Sequence, residues 1–207
     1  MKFQFFTYLT LSSVLFSTLT ISNQELVRAF IVQVATKSSI STSTVNENKL
    51  IKEIANLEVE IVLLNSRYTT KSSQVTSANK KLQNLRQQLK SNSKNILNSA
   101  ISKAIKEKIA ELEVERVVKA TAYVEHSPVL MVLAEDIKGL RQRFAQIQPR
   151  NSQALVNRTV SQSIKNKISQ LRVQRAKLQN VYSRDSANIG AINEQIQHLE
   201  KRLALLK

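Results

Sequence analysis

The chain has no cysteine and no tryptophan, only two glycines and two prolines, and 5% aromatic residues in 207. Each shortage excludes something. Without cysteine there is no disulfide, no thiolate metal site and no lipoprotein cleavage cysteine. With glycine at Gly139 and Gly190 alone, no glycine-rich phosphate loop exists. A sheet protein of this size needs many tight turns, and turns draw on glycine and proline. Strand patterning is missing too: no stretch alternates apolar and polar residues between turn residues. Leu, Ile, Gln, Lys and Ser supply the bulk instead, which is the composition of long helices.

Those helices repeat. Residues 111–144, ELEVERVVKATAYVEHSPVLMVLAEDIKGLRQRF, align without a gap on 170–203 at a shift of 59 and on 56–89 at a shift of 55. Leu112, Val114, Arg116, Tyr123, Ser127, Ile137, Leu140 and Arg143 fall on Leu171, Val173, Arg175, Tyr182, Ser186, Ile196, Leu199 and Arg202. In the other direction LEVE at 112–115 repeats LEVE at 57–60, and Tyr68, Ser72 and Leu85 match Tyr123, Ser127 and Leu140. Three copies at one period are the mark of a repeat architecture.

Within a copy, an apolar run at helical spacing comes first. In the first copy it is Leu50, Ile54, Leu57, Ile61, Leu64 and Tyr68, stepping by four and three as in a coiled-coil seam. Then come the tyrosine, three residues and a serine. Ser127 is followed by Pro128, and serine at the cap with proline at the first helical position starts a helix. A second seam follows: Leu133, Ile137, Leu140, Phe144 and Ile147, or Ile189, Ile192, Ile196, Leu199, Leu203 and Leu206. A short turn between seamed helices makes an antiparallel hairpin.

The expected fold is therefore all-α: three tandem antiparallel coiled-coil hairpins after an N-terminal export segment. Residues 46–91 form the first hairpin, 92–150 the second and 151–207 the third. Chain reversals are expected near 69–72, 124–127 and 183–186, and the structural turn positions are Tyr68, Ser72, Tyr123, Ser127, Pro128, Tyr182 and Ser186. Asn92-Ser93 and Asn151-Ser152 align and suit a turn ending in a cap, and Pro149 breaks the helix before the second of them. Helices of about 28 residues are roughly 42 Å long, so the hairpins read as slender rods.

Residues 1–29 differ from the rest. Phe3 to Ile21 is apolar and rich in Ser and Thr, with no charge between Lys2 and Glu25. This reads as a secretory signal with a candidate cleavage site at Val27-Arg28-Ala29, or as a retained membrane anchor, since about 20 residues span a bilayer. Residues 30–45 read as a polar linker. The expected location is outside the cytoplasm; the resemblance given below implies the periplasm or the periplasmic face of the inner membrane.

Net charge is +16, and +15 without residues 1–29, spread over all three copies. Such an excess attracts a polyanion, whether acidic polysaccharide, anionic membrane surface or nucleic acid. Nucleic acid fits least, because neither a basic region running into a zipper nor an aromatic stacking platform is present. Arg116, Lys119 and Arg175 fall on seam positions, where long basic side chains lie along the seam with their heads in water. His126 and His198 occupy non-equivalent repeat positions, so no shared metal site follows. Glu135 and Glu194 are equivalent and read as carboxylates complementing a helix dipole, or as a ligand row. No catalytic, cofactor-binding or metal-binding residue is expected, no cofactor is expected, and the chain does not read as an enzyme.

The phrase Tyr123–Phe144, YVEHSPVLMVLAEDIKGLRQRF, resembles a segment of the bacterial polysaccharide co-polymerases, the chain-length determinant and GumC-type exopolysaccharide transport proteins. Their periplasmic coiled coils carry a tyrosine, a few residues, a His-Pro-like pair and an apolar helix. Here the pair is split as His126-Ser127-Pro128, and the other two copies have no proline. The resemblance implies an exported, non-enzymatic coiled-coil protein of the bacterial envelope with a structural or interaction role. Implied partners are further copies of itself or envelope polysaccharide-export proteins, engaged through coiled-coil faces. No second transmembrane helix, membrane-proximal α/β domain or kinase with a phosphate loop accompanies it. The alternative function, from charge alone, is a basic helical module binding a polyanion.

Overall fold

The computed structural model describes residues 46–90, 93–181 and 186–206. The expected export segment 1–29, the linker 30–45 and Tyr182 lie outside the described residues. Every regular element among the described residues is a helix. The elements are α1 (46–67), α2 (Ser73–Gln88), α3 (Lys94–Lys119), α4 (Pro128–Ile147), α5 (Ser152–Gln179) and α6 (Ala187–Ala204).

Local chemistry sets the boundaries. Ser72 and Ser127 cap α2 and α4: their hydroxyls accept from the Val75 and Leu130 amides at 3.3 and 3.4 Å. Each satisfies one of the amides that a helix start leaves without a partner. Pro128 sits in the first turn of α4, as its fixed φ favours. Ser186 also occupies the cap position of α6, but its hydroxyl makes no capping bond and is buried without a partner among the described residues. Asn151, before α5, adopts a left-handed φ of 58°, which asparagine tolerates better than most residues. It follows Pro149, and α4 has already closed with the Gln148 amide on the Phe144 carbonyl at 2.8 Å.

Sequence periodicity carries the third helix to about residue 123, whereas α3 stops at Lys119. The chain tightens there: the Thr121 amide bonds the Val118 carbonyl, and the Thr121 hydroxyl donates to the same oxygen at 2.8 Å. A threonine hydroxyl competing for a local carbonyl is a known way to unravel a helix end.

The seams are buried as expected. Ile54, Leu57 and Ile61 in α1, Leu133, Ile137, Leu140 and Phe144 in α4, and Ile189, Ile192, Ile196 and Leu199 in α6 all lie in the core. The separate rods do not appear. Helix α1 carries a second apolar stripe, Ile51, Ala55 and Val59, beside the one that meets α2 through Leu57, Ile61 and Ala78. Two stripes require two neighbours. The second joins α3, α4, α5 and α6 in one continuous core. Its centre is α3, where Ile101, Ile105 and Ile109 are almost completely enclosed. Each such side chain is worth roughly 1.5–3 kcal/mol of burial.

Helix α3 packs against α4, α5 and α6, and α5 packs against α6. Helix α4 also meets α1: Gly139 faces Val62, and a Cβ there would lie 3.4 Å from a Val62 methyl. So α4 lies over the groove between α1 and α3, and α6 over the groove between α3 and α5. Helices α1 and α3 run parallel: their starts meet at Glu47 and Ser93, and α1 runs antiparallel to α4, with Arg67 on Asp136 and Glu58 on Arg143, as α3 does with Glu113 on Arg141.

Candidate functional site

Charged groups inside this core need partners, since an ion taken from water loses its hydration. Glu58 and Glu113 are 5% and 3% exposed. They are the second residues of the two LEVE phrases and so stand 55 apart. Each accepts two arginines. Glu58 takes Arg86 from α2 and, at 3.0 Å, Arg143 from α4. Glu113 takes Arg141 from α4 at 2.7 Å and Arg202 from α6 at 3.1 Å. Arg86 and Arg141 are also 55 apart, and Arg143 and Arg202 are 59 apart. The two clusters are therefore the same construction repeated: one carboxylate, one arginine from the helix that follows its own, and one from two helices further on.

In the third copy the sign is reversed. Arg172 stands where Glu58 and Glu113 stand, and Glu200 where Arg86 and Arg141 stand, and these two pair at 2.9 Å. Both are about half exposed, so this pair is worth little by itself. In the first copy Gln88 occupies the position of Arg143 and Arg202.

A third buried carboxylate adds a link found in one copy only. Asp136 on α4 is fully enclosed. It accepts the Ser66 hydroxyl and two nitrogens of Arg67, the closer at 2.5 Å, both from the last turn of α1. The hydrogen bond to Asp136, aided by its charge, holds the Arg67 guanidinium above its ordinary pKa against the opposing effect of burial. At the other end of α1, the Ser93 hydroxyl donates to Glu47. Helix α1 is thus tied at both ends and in the middle.

The turn residues are distributed as follows. Tyr68 and Tyr123 follow the ends of α1 and α3 and are 47% and 46% exposed. Ser72, Ser127 and Pro128 start helices, and Ser186 starts one without a capping bond. Arg116 is exposed, Lys119 pairs with Glu115 at 3.6 Å, and Arg175 donates to Asn193 at 3.0 Å. Their charged ends leave the seam as long side chains do. Glu135 pairs with Lys138 on the surface, and His126 is exposed in the turn before α4. Among the described residues no group of three or more His, Cys, Asp or Glu is placed to hold a metal ion, and no helix is long and apolar enough to cross a membrane.

Sequence patterning alone did not mark the Glu–Arg–Arg clusters. A signal was present: a glutamate inside an apolar seam at the same place in two copies, with arginines at matching offsets and a reversed pair in the third.

Over α3 a groove remains between α4 and α6. Both helices pack on α3 without packing on each other. Its floor includes Glu113, and its walls carry Arg116, Lys138, Arg141 and Arg202. Compared with protein-family models, with curated proteins and with solved structures, the chain matches none.

Proposed function

We propose that the chain is an exported, non-enzymatic scaffold of the bacterial envelope: three tandem helical hairpins in one array, presenting faces for protein partners. The observation that carries this reading is the repeated Glu–Arg–Arg cluster. Each glutamate binds an arginine of its own hairpin and one of the next, so neighbouring hairpins are held in fixed register. Repeat proteins use such nearest-neighbour links to build extended, rigid binding surfaces. The buried ionic chemistry at Glu58, Glu113 and Asp136 is thereby spent on assembly. The link to polysaccharide export rests on the resemblance of Tyr123–Phe144, and the link to export itself on the character of residues 1–29.

Two measurements test this. Fractionation with mass spectrometry should place the chain in the envelope, with a mature N-terminus near Phe30 if the segment is cleaved. A full-length chain in the cytosol refutes export. Deleting the chain in its host should alter the amount or length of surface polysaccharide, and unchanged polysaccharide removes that process.

A second reading is favoured by the charge distribution. Between Asp136 and Asp185 there is no carboxylate and there are eleven Lys and Arg residues. Helix α5 carries Arg158, Lys165 and Arg172 at seven-residue spacing, all exposed. This is a basic module binding a polyanion through long-range attraction. Its binding falls steeply between low and moderate salt, and salt-independent binding rejects it.

A further inference from the structure

The groove between α4 and α6 continues to the turn before α4. Arg116 and Ala134 line both its halves. The half near the turn, about 390 Å³, is walled by Tyr123, Leu130 and Met131. The other half, about 430 Å³, ends against Leu205 and Leu206 beyond α6. These volumes are in the range of ligand sites. Met131 and Leu205, one in each half, are 58% and 76% exposed.

The groove is largely apolar toward the turn, where Glu125 is the one charged residue besides Arg116, basic in its middle and apolar beyond α6. In its middle stand Arg116, Lys138, Arg141 and Arg202 over the single buried carboxylate Glu113. Arg141 and Arg202 share that carboxylate, and Lys138 is offset by Glu135. Arg116 has no ion-pair partner among the described residues, and Arg116, Lys138, Arg141 and Arg202 against Glu113 and Glu125 leave the lining with a net charge of +2. From Met131 to Arg141 along α4 is about 15 Å. That length takes about five residues of extended peptide or about ten of helix.

We propose that this groove is a peptide-docking site, and that its occupant is an acidic amphipathic segment of another protein, with carboxylates facing Arg116 and apolar side chains at Tyr123–Met131 and at Leu205. Charge complementarity selects acidic over basic partners. The apolar ends select a peptide over a hydroxyl-rich glycan. A second copy does not supply the segment through α2 or α5, because neither helix contains a carboxylate. The proposal rests on the scaffold reading and names the class of partner that the scaffold holds.

The test uses the full chain and three fluorescent probes of matched charge: a peptide of Glu and Leu, a peptide of Glu and Gln, and an oligogalacturonate. Binding is read by anisotropy. The Glu/Leu peptide should bind best, Arg116→Glu should weaken it at least tenfold, and Met131→Ser several-fold. Arg158→Glu on the outer side of α5 should change it less than twofold. Arg116, Met131 and Arg158 are exposed, so melting temperatures within a few degrees of wild type separate lost binding from lost folding. Equal binding of the two peptides, preference for the oligogalacturonate, or indifference to Arg116→Glu overturns the proposal. Any of these outcomes in a chain found in the envelope leaves the scaffold reading standing. A cytosolic chain overturns both.

Discussion

Replacing Glu113 by Gln keeps the shape of the side chain and removes its charge. The carboxylate is 3% exposed and holds Arg141 and Arg202 from two different helices. Breaking a buried ion pair by removing one partner costs about 3–5 kcal/mol, because the remaining charge stays uncompensated. Here two guanidiniums would be left facing each other. The arginine side chains, however, are 23% and 29% exposed, so they can turn partly into water. The amide oxygen also keeps one acceptor. The expected cost therefore falls somewhat below that range, about 2–3 kcal/mol. For a domain of this size 1 kcal/mol moves Tm by about 2–4 °C, so Glu113→Gln should lower Tm by about 4–12 °C. Arg202→Met removes one arm and leaves Glu113 with Arg141 at 2.7 Å, so it should cost about half as much. The triple change Glu113→Leu, Arg141→Met, Arg202→Met removes the charges together and should return close to wild type, since apolar groups often replace a buried ion cluster without loss. Melts followed by circular dichroism decide the matter. A loss below about 1 kcal/mol for Glu113→Gln, or a triple variant as unstable as that single one, would show that the charge at 113 does not hold the array together.

Pro128→Ala should be mild, about 0.4–1 kcal/mol, through the unfolded chain, while Val132→Pro should cost about 3 kcal/mol or more by removing a hydrogen bond inside α4. Val132 is 45% exposed, so lost packing does not account for the difference, and a clear gain in Tm for Pro128→Ala would mean that the proline kinks a helix rather than starting one. Ser127→Ala should cost about 1 kcal/mol as a lost cap, whereas Ser186→Ala should be neutral or stabilising because its hydroxyl is buried without a partner among the described residues; equal losses in denaturant titrations contradict this. Gly190→Ala should stabilise by about 0.5–1 kcal/mol, as a Cβ there meets nothing within 4 Å, and a destabilised variant would point to a neighbour among the residues not described. Asp136→Asn should destabilise, and the gap in Tm from wild type should stay constant from neutral to mildly alkaline pH. Arg67 has a raised pKa in the folded state, so its contribution is complete below the unfolded value and is lost only as pH rises through the folded one; a gap that closes on mild alkalinisation is the refuting result.

What the sequence by itself determined is local. Seams at four-and-three spacing identify helices because one turn of helix repeats every 3.6 residues, and the serine-led starts at Ser72, Ser127 and Pro128 identify where the chain reverses, because helix ends must satisfy their own amides. Helix α3 ends at Lys119, short of the residue 123 to which periodicity carries it, because the turn hydrogen bonds of Thr121 compete with periodicity there. What only the tertiary structure decided is which helix faces which. The second stripe of α1, at Ile51, Ala55 and Val59, lies one or two residues from a seam already assigned, and a linear pattern does not say that two stripes mean two neighbours. The pairing of Glu113 with Arg202 spans 89 residues, and nothing in local spacing distinguishes that arginine from those left in water. The groove around Arg116 is more remote still. It exists because α4 and α6 both rest on α3 without touching, and a gap between elements has no residues of its own to carry a signal.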